Sequence, residues 1–173
     1  MHAPQTRSKP AGCTDTLGEC HASGRFGNAI PVRLRPGADL THGLKKVCEQ
    51  NGIKHGAILV GIGSLRQLSF QVLTPKPETK LGAGYTDPQV VPGPVEIVNL
   101  QGVVLQSEEG ETLLHVHGTF SYQHGKVYAG HVVPGADPIL ATLDAVVAGI
   151  GDVRLIRQVE PEVGMGLCTP EEV

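Results

Sequence analysis

Apolar and polar residues alternate through much of this chain, and each break in the alternation marks a turn or a helix. Ile30, Val32 and Leu34 alternate with Pro31, Arg33 and Arg35, predicting a half-buried strand over 29–35 that Pro36-Gly37 ends. Asp39 then has the chemistry of a helix N-cap. Leu40, Leu44, Val47 and Cys48 follow as an apolar stripe at helical spacing, and Asn51-Gly52 supplies the stop; Lys45, Lys46 and Glu49 form a solvated face. Residues 57–63 read as a buried strand and 67–73 as another. Five prolines and three glycines between 74 and 94 predict a long loop, a length usually given to lids, interface arms or disorder. Three strands follow, over 95–106, 112–122 and 126–133. The apolar run 139–150 fits helix or strand equally, because continuous burial erases both periods. A last strand covers 153–159, and the tail from Glu160 reads as irregular.

Residues 1–28 show no periodicity and read as a flexible extension, leaving 29–173 as the folded domain. At 173 residues the chain holds one domain with a real core. Aromatics make up only 3%, so Val, Leu and Ile must build that core, while 23 Gly and 13 Pro call for many turns. The predicted class is α+β: a mainly antiparallel sheet flanked by one or two helices. The net charge of -3, with no basic run, argues against binding nucleic acid by charge alone. Cys13, Cys20, Cys48 and Cys168 form no CxxC pair and read as free thiols of a cytoplasmic protein. No apolar stretch has the length of a membrane span, and no secretory leader is evident at the N-terminus.

Candidate chemistry lies in Leu114-His115-Val116-His117-Gly118 and in His131. Two imidazoles one residue apart on a strand share a face. Tyr122-Gln123-His124-Gly125-Lys126 has the form of a three-residue hairpin loop with Gly125 left-handed. If the hairpin closes on Tyr122 and Lys126, His117 stands opposite His131. A two-residue turn would shift the register by one and put His131 on the other face. Ser107 and Glu111, around Glu108-Glu109-Gly110, close the preceding hairpin in the same way. One face then carries Asn99, Gln101, His115, His117, Thr119, Ser121 and His131; the other carries Val98, Leu100, Val104, Leu114, Val116 and Phe120. Three imidazoles suit a divalent metal with a position left open for water or substrate. A buried hydrogen-bonded cluster is the plainer alternative.

Other candidates are fewer. Gly61-Ile62-Gly63-Ser64 lacks the Lys-Ser/Thr of a phosphate loop and reads as readily as a strand with close backbone packing. Arg66 can hold a substrate carboxylate, or be an exposed arginine. Ser64 has no identifiable base. Glu96 is an outside candidate for acid–base work, placed by alternation on the face away from the histidines. His2, His21, His42 and His55 read as surface or loop residues.

Arg33-Leu34-Arg35-Pro36-Gly37-Ala38-Asp39-Leu40 with Gly61-Ile62-Gly63-Ser64-Leu65 resembles the start of the PPC domain, a module conserved in plants and prokaryotes. Gly93-Pro94-Val95-Glu96-Ile97-Val98-Asn99-Leu100-Gln101-Gly102 looks like that family's central strand. Leu114–Gly118 and Gly130-His131-Val132 look like its histidine strands. The resemblance spans about residues 30–168 and implies an α+β fold and a homotrimer with subunit clefts near the histidines. For the prokaryotic branch it also implies zinc on the positions of His115, His117 and His131. Plant members carry AT-hooks, and prokaryotic members are often labelled DNA-binding. This chain has no Arg-Gly-Arg-Pro core, and it has Gly-Pro-Val-Glu-Ile-Val where plant members have a Gly-Arg-Phe-Glu-Ile-Leu-like segment. A cupin also has an HxH pair and a later His, but the Glu expected after the pair is missing. The expectation is therefore a trimeric zinc protein acting on a small anionic metabolite by hydrolysis, hydration or lyase chemistry. Arg66, Ser64, Asn99 and Gln101 would contact that substrate. The alternative is a non-enzymatic DNA-binding or regulatory module.

Overall fold

Asp39 ties the one helix to the sheet. Its Oδ1 accepts from the His42 N–H and the Thr41 hydroxyl, both at 2.9 Å, and its Oδ2 accepts from the Asp137 N–H at 3.0 Å. One side chain thus caps the helix and holds the segment that enters a distant strand. The computed structural model describes residues 13–14 and 19–173. Its elements are β1 (Cys13–Thr14), β2 (Glu19–Cys20), β3 (Arg25–Leu34), α1 (Leu40–Gln50), β4 (Gly56–Gln71), β5 (Leu73–Pro75), β6 (Ala83–Tyr85), β7 (Gln89–Ser107), β8 (Thr112–Tyr122), β9 (Lys126–Val132), β10 (Ile139–Gly151), β11 (Val153–Glu160) and β12 (Met165–Glu172).

Eight strands form one sheet in the order β12-β11-β7-β8-β9-β4-β10-β3, and a further β7–β4 pairing closes β4, β7, β8 and β9 into a ring. Leu40, Leu44 and Cys48 of α1 are fully buried and join Leu65, Leu68, Ile97, Leu100, Val116 and Phe120 in a single core. No helix among the described residues is long and apolar enough to cross a membrane. The α+β expectation holds, with strand content far outweighing helix.

Several expectations change. The long loop of 74–94 contains the β5–β6 hairpin, and β7 already begins at Gln89. The tail from Glu160 is not irregular: β12 pairs with β11 from Val153↔Glu172 to Glu160↔Met165, and Pro170 is tolerated there because β12 is an edge strand. Residues 139–150 are strand, paired on both sides by β3 and β4, which is why their apolar run showed no period. β3 starts at Arg25, inside the segment read as an extension; residues 1–12 and 15–18 of that segment lie outside the described residues. Cys20 is disulfide-bonded, against the free-thiol reading, whereas Cys48 and Cys168 are free. His55 is no idle loop residue either, since its Nδ1 accepts the Leu155 N–H at 3.1 Å and so tethers β11.

Asp137 is wholly buried; its Oδ1 accepts the Ser69 N–H at 2.5 Å and its Oδ2 has no partner. Burial raises its pKa to about 7, and the Asp39 charge pushes the same way, against the Ser69 N–H. A carboxyl raised in the folded state contributes stability that is fully present below the unfolded value of about 3.9 and lost as pH rises through the folded value. Urea titrations are therefore expected to show stability falling between about pH 4 and pH 7, by something on the order of 2–4 kcal/mol from this group. Asp137→Asn should flatten that decline; an unchanged slope would contradict the assignment.

Candidate metal centre

The site starts at a turn. Gln123-His124-Gly125 joins β8 to β9, with His124 at φ 58° and Gly125 at φ 76°. Two consecutive left-handed residues close the loop on the Tyr122↔Lys126 pair, and the ladder then runs unbroken to His117↔His131. On the other edge of β8, Gln101 faces His117 and Val103 faces His115. The expected register is the observed one, and the three imidazoles meet. One ring nitrogen from each lies within 4.8 Å of the others, and no Asp, Glu or Cys among the described residues joins the group. His115 Nε2 and His117 Nε2 are 3.0 Å apart.

These residues fit a metal. Tetrahedral ligation at the usual metal–nitrogen length of about 2.0–2.1 Å sets nitrogens about 3.3 Å apart, close to the His115–His117 spacing. His131 Nδ1 is buried with no hydrogen-bond partner, which is costly unless something else satisfies the ring. Burial pulls His131 down to about 4, with His115, His117 and Arg157 adding to the effect. Burial also lowers His115, followed by the influence of His117 and Arg157. Both rings are neutral at neutral pH, the state in which imidazole offers a lone pair.

Asn99 and Gln101 lie on the histidine face of β7, as expected, and both are exposed. Ser64 and Arg66 are elsewhere. Ser64 pairs with Glu96, which pairs with Ser121, four residues along β8 from His117 and so roughly 13 Å away. Ser64, Glu96, Ser121 and His124 line an open cleft of about 560 Å³ there. Arg66 sits at a β4 bulge, its N–H bonded to the Pro138 carbonyl at 2.8 Å. The face assigned to Glu96 needs correction. The β7–β8 register shifts between Ile97 and Asn99, and Val98 is the extra residue, 51% exposed. That bulge turns Glu96 onto the same face as Ser121 and the histidines, and removes Val98 from the core face.

One residue at the histidines had no sequence signal. Tyr85 of β6 packs on His131, with ring centroids 5.0 Å apart. Thr86 fixes it there: its N–H donates to the Val72 carbonyl at 2.9 Å, and its own carbonyl accepts from Gln71 Nε2 at 2.7 Å. Gln71 in turn pairs with His131.

The sequence profile of the Plants and Prokaryotes Conserved domain matches residues 21–151. Two bifunctional GlmU proteins of Synechococcus strains are each 28% identical over 134 residues, 78% of this chain, and the chain spans about a fifth of their length (19%). A plant- and prokaryote-conserved protein of Pyrococcus horikoshii superposes with TM-score 0.73 at 21% identity, covering 90% of this chain and 99% of that one. A protein of Archaeoglobus fulgidus described as metal-containing gives 0.72 at 22%, over 84% and 96%. One from Bacteroides thetaiotaomicron, described provisionally as DNA-binding, gives 0.67 at 24%, over 84% and 96%. At these identities the solved structures speak to the fold.

Proposed function

The chain belongs to the Plants and Prokaryotes Conserved domain family, and from that premise we propose that it is a metal-dependent member acting on a small anionic metabolite. His115, His117 and His131 hold the metal. An all-imidazole donor set, with no carboxylate among the described residues, suits zinc. The observation that carries this reading is the convergence of three imidazoles, one of them with a buried, unpartnered nitrogen. The metal-containing description of the Archaeoglobus fulgidus structure supports it.

When bound, such a metal supplies Lewis acidity toward a carbonyl and lowers the pKa of bound water, which serves hydrolysis, hydration or lyase chemistry. The chain's own residues do the positioning. Gln101, level with His117, and Asn99 two residues on offer hydrogen bonds from the same face. Tyr85 covers His131 and limits water access from the β5–β6 side. Ser64 and Arg66 lie too far along the sheet to reach the histidines of their own chain. In the homotrimer that the family resemblance implies, they would serve this site only across a subunit boundary. An exposed apolar depression of about 440 Å³, lined by Pro31, Val60, Ile62 and Val146, supports self-association. Sizing near three chain masses is expected, and a clean monomer would dismiss that part.

The test is turnover of a panel of small carboxylates and phosphate esters by protein as purified, after chelation and after zinc return. Activity lost with the metal and restored with it is expected; activity indifferent to chelation would sink the proposal. A second reading, DNA association, rests on the provisional description of solved structures such as that from Bacteroides thetaiotaomicron. The net charge of -3 opposes it. Salt-dependent retention on DNA at micromolar protein would favour it.

A further inference from the structure

We propose that the cleft beside Glu96 is a second binding site, and that it takes the primary ammonium group of a small ligand. The Glu96 carboxylate answers the charge, and the hydroxyls of Ser64 and Ser121 on either side of it accept the remaining N–H bonds. Ser121 lies roughly 13 Å along β8 from His117, so this site is separate from the metal centre and does not depend on it.

The first support is how the carboxylate is aimed. Asn99 and Gln101 face outward, so an uninterrupted β7 would carry Glu96 on the core face. The bulge at Val98 reverses this and turns Glu96 outward. Ser64 of β4 pairs with Glu96 on one side, and Ser121 of β8 pairs with it on the other. Three polar side chains thus stand in a row across three strands, with neighbouring β-carbons about 5 Å apart. Leu65, Ile97 and Phe120, their neighbours along the strands, are buried in the core, which fixes the row on the outer face. His124, at φ 58°, and Gly125 form one edge of the cleft, whose volume is about 560 Å³.

The second support is that the chain leaves this row unanswered. Glu96 has no ion pair, and neither Glu96 nor Ser121 has a hydrogen-bond partner, among the described residues. Ser64 Oγ accepts the Ala141 N–H at 3.2 Å, which holds the side chain at the irregular stretch of the β4–β10 pairing. A second lone pair on that oxygen is left for a ligand. No lysine or arginine is among the residues lining the cleft. Lys126, which follows the loop, lies over the Tyr128 ring, 4.8 Å from its centroid.

The same features select among cations. A metal ion lacks donors here, because Glu96 joins no group of three ligating side chains among the described residues. A quaternary ammonium calls for an aromatic cage, and Tyr122, the aromatic residue lining the cleft, packs against the core. A primary ammonium carries three N–H donors on a compact head, and a carboxylate between two hydroxyls offers the matching acceptors. Pro94 supplies an apolar wall for a short hydrocarbon body.

The experiment titrates the full chain with n-butylammonium and follows the backbone amides by NMR, with a chelator present so that no amine can bind to metal. Saturable shifts are expected at Ser64, Glu96, Ser121 and His124. Butyltrimethylammonium, of equal charge but without N–H donors, should bind about tenfold more weakly, and n-butanol should not saturate. Glu96→Gln should weaken n-butylammonium binding about tenfold or more, and Ser121→Ala about threefold. Glu49→Gln, which removes a carboxylate from the solvated face of α1, should match the parent. Equal affinity in Glu96→Gln and the parent, equal affinity for the quaternary ion, saturation by n-butanol, or shifts confined to other residues overturns the proposal. So does a cleft already filled by a second copy, which would show as shifts at these four residues on protein dilution alone. Because metal is absent throughout, none of these outcomes touches the metal reading.

Discussion

Replacing His117 by alanine is expected to take bound metal from about one ion per chain to under about a tenth, in protein purified without added metal. His117 is the central member of the row Gln101–His117–His131, and its Nε2 lies 3.0 Å from that of His115. Without it two imidazoles remain, on different strands, and a two-nitrogen site at a solvent-facing surface holds zinc poorly. The side chain is exposed, so the fold should survive the change. Elemental analysis of parent and variant decides the matter, with a thermal melt to show that both are folded. Metal retained equally by both would mean that the cluster is a hydrogen-bonded polar face. The neutral state of His115 and His131 would then have no functional reading.

Gly63→Ala is expected to be among the most damaging single-methyl changes in the sheet. A Cβ at residue 63 would stand 2.1 Å from the Thr142 carbonyl oxygen and 2.9 Å from the Leu143 Cα. Both are backbone atoms, so no rotamer change relieves the overlap. The β4–β10 ladder must open where Gly63 pairs with Leu143, a residue at the centre of the core. Overpacking of this kind costs about 1–3 kcal/mol when side chains can yield, and more when only backbone can. Urea denaturation should show a loss of at least about 3 kcal/mol, or no soluble protein. A loss under about 0.5 kcal/mol would contradict the packing described here. Gly61 has a softer neighbour, the Leu100 side chain at 3.0 Å, and its alanine variant should cost less.

That pair of glycines shows what the sequence could and could not tell. Gly61-Ile62-Gly63-Ser64 fitted either a loop or a close-packed strand, and only the partner strand β10 decides between them. The histidine register was readable because a turn is local chemistry: three residues and one glycine set every pairing from Tyr122 back to His117. The helix was readable for the same reason, with Asp39 and Asn51-Gly52 bounding a clear stripe.

What escaped depends on non-local contacts. The bulge at Val98 left no mark, because Ile97-Val98 alternates as well as any bulged pair, and so Glu96 was given the wrong face. β12 was hidden by Pro170 and Gly166, residues an edge strand tolerates more readily than a central one. Tyr85 reaches His131 only because Thr86, just after β6, bonds to Val72 and Gln71 at the end of β4, and β11 joins the sheet only through the parallel β11–β7 pairing. Neither contact has a local signature. Ser64 and Arg66 are the converse case, near the histidines in motif order but set apart by the strand they share.

The central claim is that His115, His117 and His131 form a metal centre, and anomalous diffraction at the zinc edge tests it most directly. Crystals of the full chain, grown without added metal and then soaked in zinc, should show one anomalous peak per chain. That peak should lie about 2.0–2.1 Å from a ring nitrogen of each histidine. A map with no peak among the three rings after soaking, or with zinc bound only at other residues, would contradict it.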